Sequence, residues 1–188
     1  MERLILVRHA EPEVSPTQSA AEWPLTVRGE FAVRRLATVL SGLEPTWIVT
    51  SPERKARETA ALLAESLEIP VVEDGLIAEH GAGPDEFIAD YQTFRQLVET
   101  HFAQPQAVVF RGEASADAAR RMATCVDQCG DAGGVPVLVS HGRIMASWLA
   151  DFTGQDAWDI WNAFRLPDLI QVDVMAKTFR SFSVPLVP

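Results

Sequence analysis

Three apolar runs in this sequence are each followed by side chains that can bind or attack a phosphoryl group. The runs are LILV at 4–7, TWIVT at 46–50 and VPVLV at 135–139. The polar residues that follow them are Arg8 and His9; then Ser51, Arg54, Lys55 and Arg57; and then Ser140, His141, Gly142 and Arg143. Guanidinium, ammonium and imidazole groups donate hydrogen bonds to phosphoryl oxygens, and a histidine can also be a neutral nucleophile near neutral pH. Two histidines at two run ends could divide these roles, so the pattern indicates phosphoryl chemistry.

The elements that must position these residues are strands of a parallel sheet and the helices between them. Continuous apolar stretches are typical of strands covered on both faces, which predicts strands over 3–7, 46–50 and 135–139. The predicted helices are 26–41, ending at Gly42; 51–67, with Ser51 as N-cap and Pro52 at the first helical position; and a helix from Ser115 to near Gly130. This order predicts an α/β fold, a three-layer α/β/α sandwich around a mostly parallel sheet. Ligands bind such folds at the carboxyl ends of the strands.

The remaining segments predict one domain over 1–188 with an insertion around 80–105. A short strand is predicted at 70–73, and 169–174 and 179–184 are predicted to form a hairpin around Lys177 at a sheet edge. In the insertion, aromatic residues recur at helical spacing, which favours an amphipathic helix packed on the body. The loop HGAGPDE at 80–86 could instead cap the site.

The composition and charge of the chain argue against some classes of binding partner. The chain has 188 residues, 47% of them hydrophobic and 22% charged, and a formal net charge of −10. That charge disfavours nucleic acid as a partner, because nucleic-acid affinity depends on cationic side chains, but a small anionic ligand stays compatible with it. No apolar run approaches the roughly 18 residues of a membrane span, and none resembles a signal peptide, so we expect a cytoplasmic protein without membrane contact.

Other residues that could bind a metal or a nucleotide have simpler interpretations. Cys125 and Cys129 lie one helical turn apart without histidines nearby, which favours core packing over a zinc site. His80 and His101 also lack partners at metal-ligand spacing. No glycine-rich phosphate loop follows the first strand, so a nucleotide-binding protein gets little support.

Aromatic residues recur every three positions in DAWDIWNAF, at Trp158, Trp161 and Phe164. Core packing is the favoured interpretation. The alternative is a contact between two copies of the chain, so a homodimer stays open.

Four blocks of the sequence resemble the signature blocks of the histidine phosphatase superfamily, the phosphoglycerate-mutase-like proteins. They are LVRHAE at 6–11, WPLTVRG at 23–29, TSPERKARETA at 50–60 and VSHGRI at 139–144. The resemblance implies that His9 is the nucleophile and becomes a phosphohistidine. It also implies that Arg8 and His141 bind the phosphoryl oxygens, while the helix start at Gly142 adds backbone amides.

The resemblance departs from the family pattern at Lys55. The family has arginine there, within Ser-Pro-x-x-Arg-Ala-x-x-Thr-Ala. Lysine keeps the charge but loses the two-pronged geometry of arginine, so phosphate would be held more loosely. The neighbouring Arg54 and Arg57 are expected on a solvated helix face, with Glu53 and Glu58 as ion-pair partners.

The proton donor is the least specific assignment. Glu79, in the loop after 70–73, matches the position of the family's acidic residue best, and Asp85 and Glu86 are alternatives. An ordinary surface carboxylate is a nearly equal interpretation of Glu79. A carboxylic acid that protonates a leaving group needs a raised pKa, which burial would supply.

These assignments predict a metal-independent phosphatase without a cofactor. His9 attacks phosphorus in line; Arg8, Lys55 and His141 neutralise the growing charge; Glu79 protonates the leaving oxygen; and water then hydrolyses the phosphohistidine. Mutase-type phosphoryl transfer is less favoured, because the chain is short and Ser15 stands where mutases tend to have asparagine. The other alternative is a phosphate-binding or protein-interaction module with little turnover. The substrate stays open among sugar phosphates, nucleotide-type metabolites and phosphohistidine on a protein.

Overall fold

A mixed sheet forms the middle layer of the molecule. The computed structural model describes residues 1–80, 88–110 and 112–182. The strands in these ranges are β1 (Arg3–Arg8), β2 (Trp47–Thr50), β3 (Val71–Glu73), β4 (Pro136–Ser140), β5 (Asp168–Asp173) and β6 (Thr178–Phe182). Their spatial order is β3-β2-β4-β1-β5-β6. The first four strands are mutually parallel, whereas β5 pairs antiparallel with both β1 and β6.

Helices cover both faces of this sheet. They are α1 (Val27–Ser41), α2 (Arg54–Leu67), α3 (Tyr91–Ala103), α4 (Ser115–Ala132), α5 (Gly142–Thr153) and α6 (Ala157–Ala163). Successive side chains of a strand point to opposite faces. Accordingly Ile5 and Val7 of β1 pack in one core with α1 and α2, while Leu4 and Leu6 pack in the other core with α3 to α6. The predicted three-layer α/β/α architecture with a mostly parallel sheet is confirmed.

The start of α2 differs from the sequence prediction. The helix begins at Arg54, and its N-cap is Glu53, which makes no side-chain capping bond. The assignment of Ser51 as N-cap is therefore wrong. Ser51 Oγ instead accepts a hydrogen bond from the Glu53 N–H at 3.3 Å and contacts the His141 ring. A tertiary partner for the hydroxyl replaces the local helix cap, so the helix begins later than its sequence signals indicate.

Other boundaries follow the sequence closely. Helix α1 ends at Gly42 as predicted, and Thr26 caps its start by accepting the Gly29 N–H at 2.9 Å. Helix α4 begins at Ser115 but continues past Gly130 to Ala132. The predicted β5–β6 hairpin turns at Lys177, whose φ is +52°, and β6 is an edge strand.

The insertion around 80–105 contains the predicted helix, α3. Its Phe94 and Phe102 pack half-buried against the core, while Tyr91 is 61% exposed. Most of the predicted cap loop, residues 81–86, and Phe87 lie outside the described residues.

Buried side chains settle two other interpretations. Cys125 and Cys129 are free, buried thiols on the core face of α4, which confirms core packing. Trp161 of α6 is buried and stacks on the half-buried Trp158 at a centroid distance of 5.4 Å, so both belong to the core. None of the helices seen in the described part of the chain combines the length and apolar character needed to span a bilayer.

Candidate active site

The carboxyl ends of three neighbouring parallel strands bring the predicted residues together. Strand β4 lies between β1 and β2, and its register places Ser140 beside Arg8. Just past the strands, the His9 N–H donates to Ser140 O at 3.0 Å, and the Ser51 N–H donates to Val139 O at 3.0 Å. The segments after β1, β2 and β4 therefore share one edge of the sheet, as the sequence predicts.

His9 is a buried imidazole whose protonation follows from its contacts. Its Nδ1 lies 2.8 Å from the carbonyl oxygen of Ala10, and a carbonyl can only accept. Nδ1 therefore carries the hydrogen and Nε2 carries the lone pair. Burial lowers the pKa of His9 well below its ordinary value, and the nearby His141, Lys55 and Arg8 lower it further. At neutral pH His9 is a neutral ring with a nucleophilic Nε2.

His141 faces His9 across the site, with the two ring centroids 5.1 Å apart. Burial lowers the pKa of His141 to about 4, although the Glu53 carboxylate opposes the shift. Its Nε2 lies 2.7 Å from Ser51 Oγ, and a Glu53 carboxylate oxygen lies 3.4 Å from the same nitrogen; which group donates in the contact with Ser51 is set by the tautomer of the ring. The other ring nitrogen, Nδ1, is buried and has no hydrogen-bond partner within the described ranges, so it is available to a ligand.

Arg8 packs closely against the start of α5, where a side chain larger than that of glycine would be crowded. A Cβ added to Gly142 would lie 3.1 Å from Arg8 Cζ and 3.2 Å from Trp161 Nε1. Burial lowers the pKa of Arg8, while the carboxylates of Glu79 and Asp168 oppose the shift. Its buried Nε finds no partner among the residues that the structure describes. Arg8 thus brings a fixed cation with an available donor to the same edge.

Lys55 lies inside the site but is already paired. Its ammonium is buried and donates to the carbonyl oxygen of Ala20 at 2.7 Å and to the carboxylate of Glu53. Its charge lowers the pKa of both His9 and His141, which places it electrostatically close to both rings. The sequence-based choice of Lys55 over its neighbours is supported by the exposure of Arg54, which pairs with Glu58.

Glu53 is the site residue that the sequence reasoning missed. We expected it on a solvated helix face, but it is only 7% exposed. One carboxylate oxygen accepts the Glu79 N–H at 2.8 Å and lies 3.4 Å from His141 Nε2; the other contacts Lys55. Burial alone would raise the pKa of Glu53, but His141 and Lys55 outweigh it and lower the pKa. The one signal in the sequence is its position two residues after Ser51, at a buried strand's end.

Glu79 caps helix α5 from a distant loop. Its carboxylate accepts the Arg143 N–H at 3.2 Å, the Ile144 N–H at 3.1 Å and the His80 N–H at 3.1 Å. Burial would raise the pKa of Glu79, yet the Arg143 charge and the His80 ring outweigh it and hold the pKa well below its ordinary value. The expected raised pKa is therefore wrong for this structure. The N–H groups of Arg143 and Ile144 at the start of α5 therefore bind Glu79 and are not free for a ligand.

Behind Glu79 lies a pair of buried histidines that the sequence reasoning treated separately. His80 and His101 meet edge to face with centroids 4.4 Å apart, and His80 Nδ1 lies 3.0 Å from a Glu79 oxygen. Burial lowers the pKa of His101 to about 3, and His80 and Arg143 add to the shift. The alternative acids Asp85 and Glu86 lie outside the described residues. Within the described ranges, no group of three or more His, Cys, Asp or Glu residues is arranged to hold a metal ion.

Comparisons with known proteins agree with this geometry. The family model of the histidine phosphatase superfamily (branch 1) matches residues 4–178. A probable phosphoglycerate mutase GpmB from Escherichia coli O1:K1 / APEC is 26% identical over 170 residues, which is 84% of this chain and 78% of that protein. The solved structure of YhfR from Bacillus stearothermophilus is 26% identical, with a TM-score of 0.71 and coverage of 97% and 96%. A mycobacterial glucosyl-3-phosphoglycerate phosphatase has the same fold, at 22% identity, a TM-score of 0.74 and 97% coverage of both chains.

Proposed function

Since the chain belongs to the histidine phosphatase superfamily, we propose that it hydrolyses a small phosphomonoester through a phosphohistidine on His9. The observation that carries this proposal is the state of His9. It is a buried, neutral imidazole with its lone pair on Nε2, and cationic or donor groups of Arg8, Lys55 and His141 lie around it. A neutral nucleophile among fixed donors is what in-line attack on a phosphoryl group requires.

In the first step, His9 Nε2 forms a bond to phosphorus and the bond to the leaving oxygen breaks. The charge that develops on the three equatorial oxygens is stabilised by the Arg8 guanidinium, the Lys55 ammonium and the His141 imidazole. The backbone amide of Gly142, at the first position of α5, adds a further donor. These groups supply the positive charge, so the proposed step needs neither a metal ion nor a cofactor.

Glu79 is the proposed proton donor to the leaving oxygen. Its pKa is low in this structure because Arg143 and His80 stabilise the carboxylate. A phosphoryl dianion beside it adds a like charge, which raises the pKa in the direction that an acid requires. In the second step water attacks the phosphohistidine, and the ionised Glu79 accepts a proton from that water.

Hydrolysis is favoured over transfer between two substrates, although the GpmB relatives are named probable phosphoglycerate mutases. Ser15, the residue that stands where mutases tend to have asparagine, is half-buried and bonds only to its own loop and to Trp23 among the described contacts. We therefore expect inorganic phosphate, and not an isomerised ester, as the product of a phosphorylated metabolite.

A second candidate function is phosphate binding with little turnover. The observation that favours it is the pairing of Lys55 with Glu53, because it removes one cation from free contact with a ligand. Against it stands the arrangement of His9, since a binding module has no need of a neutral nucleophile between Arg8 and His141.

The test is hydrolysis of p-nitrophenyl phosphate and of a panel of phosphorylated metabolites, with a chelator present, by the wild type and by His9→Ala. We expect turnover that survives the chelator and disappears in His9→Ala, together with acid-labile phosphate on the protein after rapid quenching. Phosphate binding without turnover by the folded wild type would favour the binding module. Conversion of 3-phosphoglycerate to 2-phosphoglycerate would favour the mutase.

A further inference from the structure

The carboxylate of Glu53 occupies a pocket whose proposed ligand is an anion. We propose that Glu53 is a positioning residue that acts as a resident counter-ion: it pairs Lys55, weakens the hold on the phosphoryl group, and thereby allows inorganic phosphate to leave. This inference rests on the phosphate site of the proposed function. It concerns the strength of binding there, and not the chemistry of His9.

The contacts of Glu53 show that its carboxylate is held in this place. Both oxygens have partners: Lys55 on one side, and the Glu79 N–H at 2.8 Å on the other. Its backbone N–H is bound by Ser51 Oγ at 3.3 Å. With the side chain only 8% exposed, Glu53 cannot turn into solvent without breaking these contacts. The carboxylate is therefore a fixed part of the pocket.

The same contacts place its negative charge among the groups that bind phosphate. Glu53 lies 3.4 Å from His141 Nε2, and it engages Lys55 directly. Charges in a buried site are screened far less than charges in water. A bound phosphoryl group must therefore compete with Glu53 for Lys55 and must also approach a like charge.

This competition acts equally on a substrate and on inorganic phosphate, because both present the same group. Weakening both amounts to a loss of uniform binding, which raises KM and leaves the transition-state contacts of His9 unchanged. Faster release of inorganic phosphate is the benefit, since it must leave the same donors after the second step.

The test is calorimetric titration of inorganic phosphate into the wild type, Glu53→Gln and the control Glu65→Gln. Glutamine keeps the shape of the side chain and the acceptor for the Glu79 N–H but removes the charge. We expect Glu53→Gln to bind phosphate about tenfold more tightly, because one like charge is removed from a buried site. Glu65 is exposed on the same helix, so Glu65→Gln should bind as the wild type does.

Two further variants separate charge from structure. Glu53→Asp keeps the charge and should stay within about twofold of the wild type, whereas Glu53→Ala removes both charge and hydrogen bonds and should again tighten binding. A merely structural Glu53 predicts the opposite, with weaker phosphate binding in Glu53→Ala and no tightening in Glu53→Gln. Folding of each variant is checked by urea unfolding before titration.

Steady-state kinetics provide a second readout that a structural role would not move. In Glu53→Gln we expect the KM for p-nitrophenyl phosphate and the inhibition constant of phosphate to fall together, with no rise in kcat. If His9→Ala failed to abolish turnover, the proposed function would fail while the titrations still decided the role of Glu53. If the wild type and Glu53→Gln bound phosphate with equal affinity, or if neither bound it, the proposed role of Glu53 as a counter-ion would be wrong.

Discussion

Helices α2 and α5 both begin at the candidate site, but each acquires its carboxylate in a different way. Helix α2 begins after Glu53, its own N-cap residue, whose side chain makes no capping bond and instead pairs with Lys55 in the first turn of the same helix. Helix α5 begins after His141, and two of its first N–H groups, those of Arg143 and Ile144, bind Glu79, which lies 64 and 65 residues earlier in the chain. The carboxylate of Glu53 therefore forms an ion pair with a lysine, whereas that of Glu79 accepts hydrogen bonds from the N-terminus of a helix.

The difference shows why two acids within one pocket have different functions. Glu53 neutralises a positive charge that would otherwise attract phosphate. Glu79 is bound by backbone N–H groups, whose partial charge at a helix N-terminus favours an anion. A second anion near this terminus competes with Glu79 for that partial charge. Ligand binding is therefore expected to change the protonation of Glu79 and the ion pair of Glu53.

The largest expected effect follows from replacing Glu79. Glu79→Gln keeps an oxygen acceptor for α5 but cannot protonate a leaving oxygen, so turnover of an alkyl phosphate should fall by about 10²–10³. The loss for p-nitrophenyl phosphate should be smaller, because nitrophenolate leaves without a proton and only the attack of water on the phosphohistidine loses its base. Rates with both substrates measure this difference. Equal losses would show that Glu79 does not protonate the leaving oxygen.

The next prediction concerns the ion pair between Lys55 and Glu53, the carboxylate at the start of α2. Lys55→Met leaves the buried Glu53 carboxylate without its cation, which should destabilise the fold by about 3 kcal/mol. Lys55→Met combined with Glu53→Gln removes both charges and should recover most of that loss. Urea unfolding of the single and double variants gives the coupling free energy. A double variant no more stable than Lys55→Met would show that the pair is not the cause.

A third prediction concerns how folding stability depends on pH, because a buried histidine lies near each of the two carboxylates. His141 near Glu53 has a pKa of about 4, and His101 behind Glu79 has one of about 3. The unfolded chain binds these protons near pH 6.5, so it is favoured as the pH falls below that value. Each histidine should cost about 1 kcal/mol of stability between pH 7 and 5.5.

The low pKa of Glu79 adds a further loss of folding stability at more acidic pH. Its stabilising contribution is complete above the ordinary carboxylate pKa and is lost only as the pH falls towards the lower folded value. Urea unfolding of the wild type and His101→Phe at several pH values measures the share of His101. His101→Phe should remove about 1 kcal/mol of the loss between pH 7 and 5.5 and leave the share of His141; an unchanged curve would contradict the assignment.

The smallest expected effect concerns the hydroxyl of Ser51, which lies three residues before α2. Ser51→Ala removes the hydroxyl that contacts His141 Nε2 at 2.7 Å, so the ring loses a hydrogen bond that holds its orientation, and kcat/KM should fall about fivefold, equivalent to about 1 kcal/mol. The control is Ser66→Ala, which removes an exposed hydroxyl near the end of α2 that bonds only to Leu62 O among the described contacts. A similar loss in Ser66→Ala would assign the effect to α2 and not to His141.

Much of this protein was predictable from local pattern. Apolar runs predicted the central strands because burial on both faces demands continuous apolar residues. The polar residues after those runs predicted the site edge, since parallel neighbours end together. Arg8, His9 and His141 were identified in this way, and Lys55 followed from its place in a signature block. That residues 1–188 form a single domain stays a prediction.

Only the tertiary structure decided what the charged side chains pair with. Composition and helical spacing placed Glu53 on a solvated face, but the chain turn at Ser51 points it at Lys55 and His141. Burial alone predicted a raised pKa for Glu79, but the start of α5 and Arg143 lower it. Sequence determines the order of elements and the residue types at their ends, because these depend on neighbours along the chain. Protonation and ion pairing depend on groups that folding brings within a few ångströms from distant positions, so they become fixed only in the folded molecule.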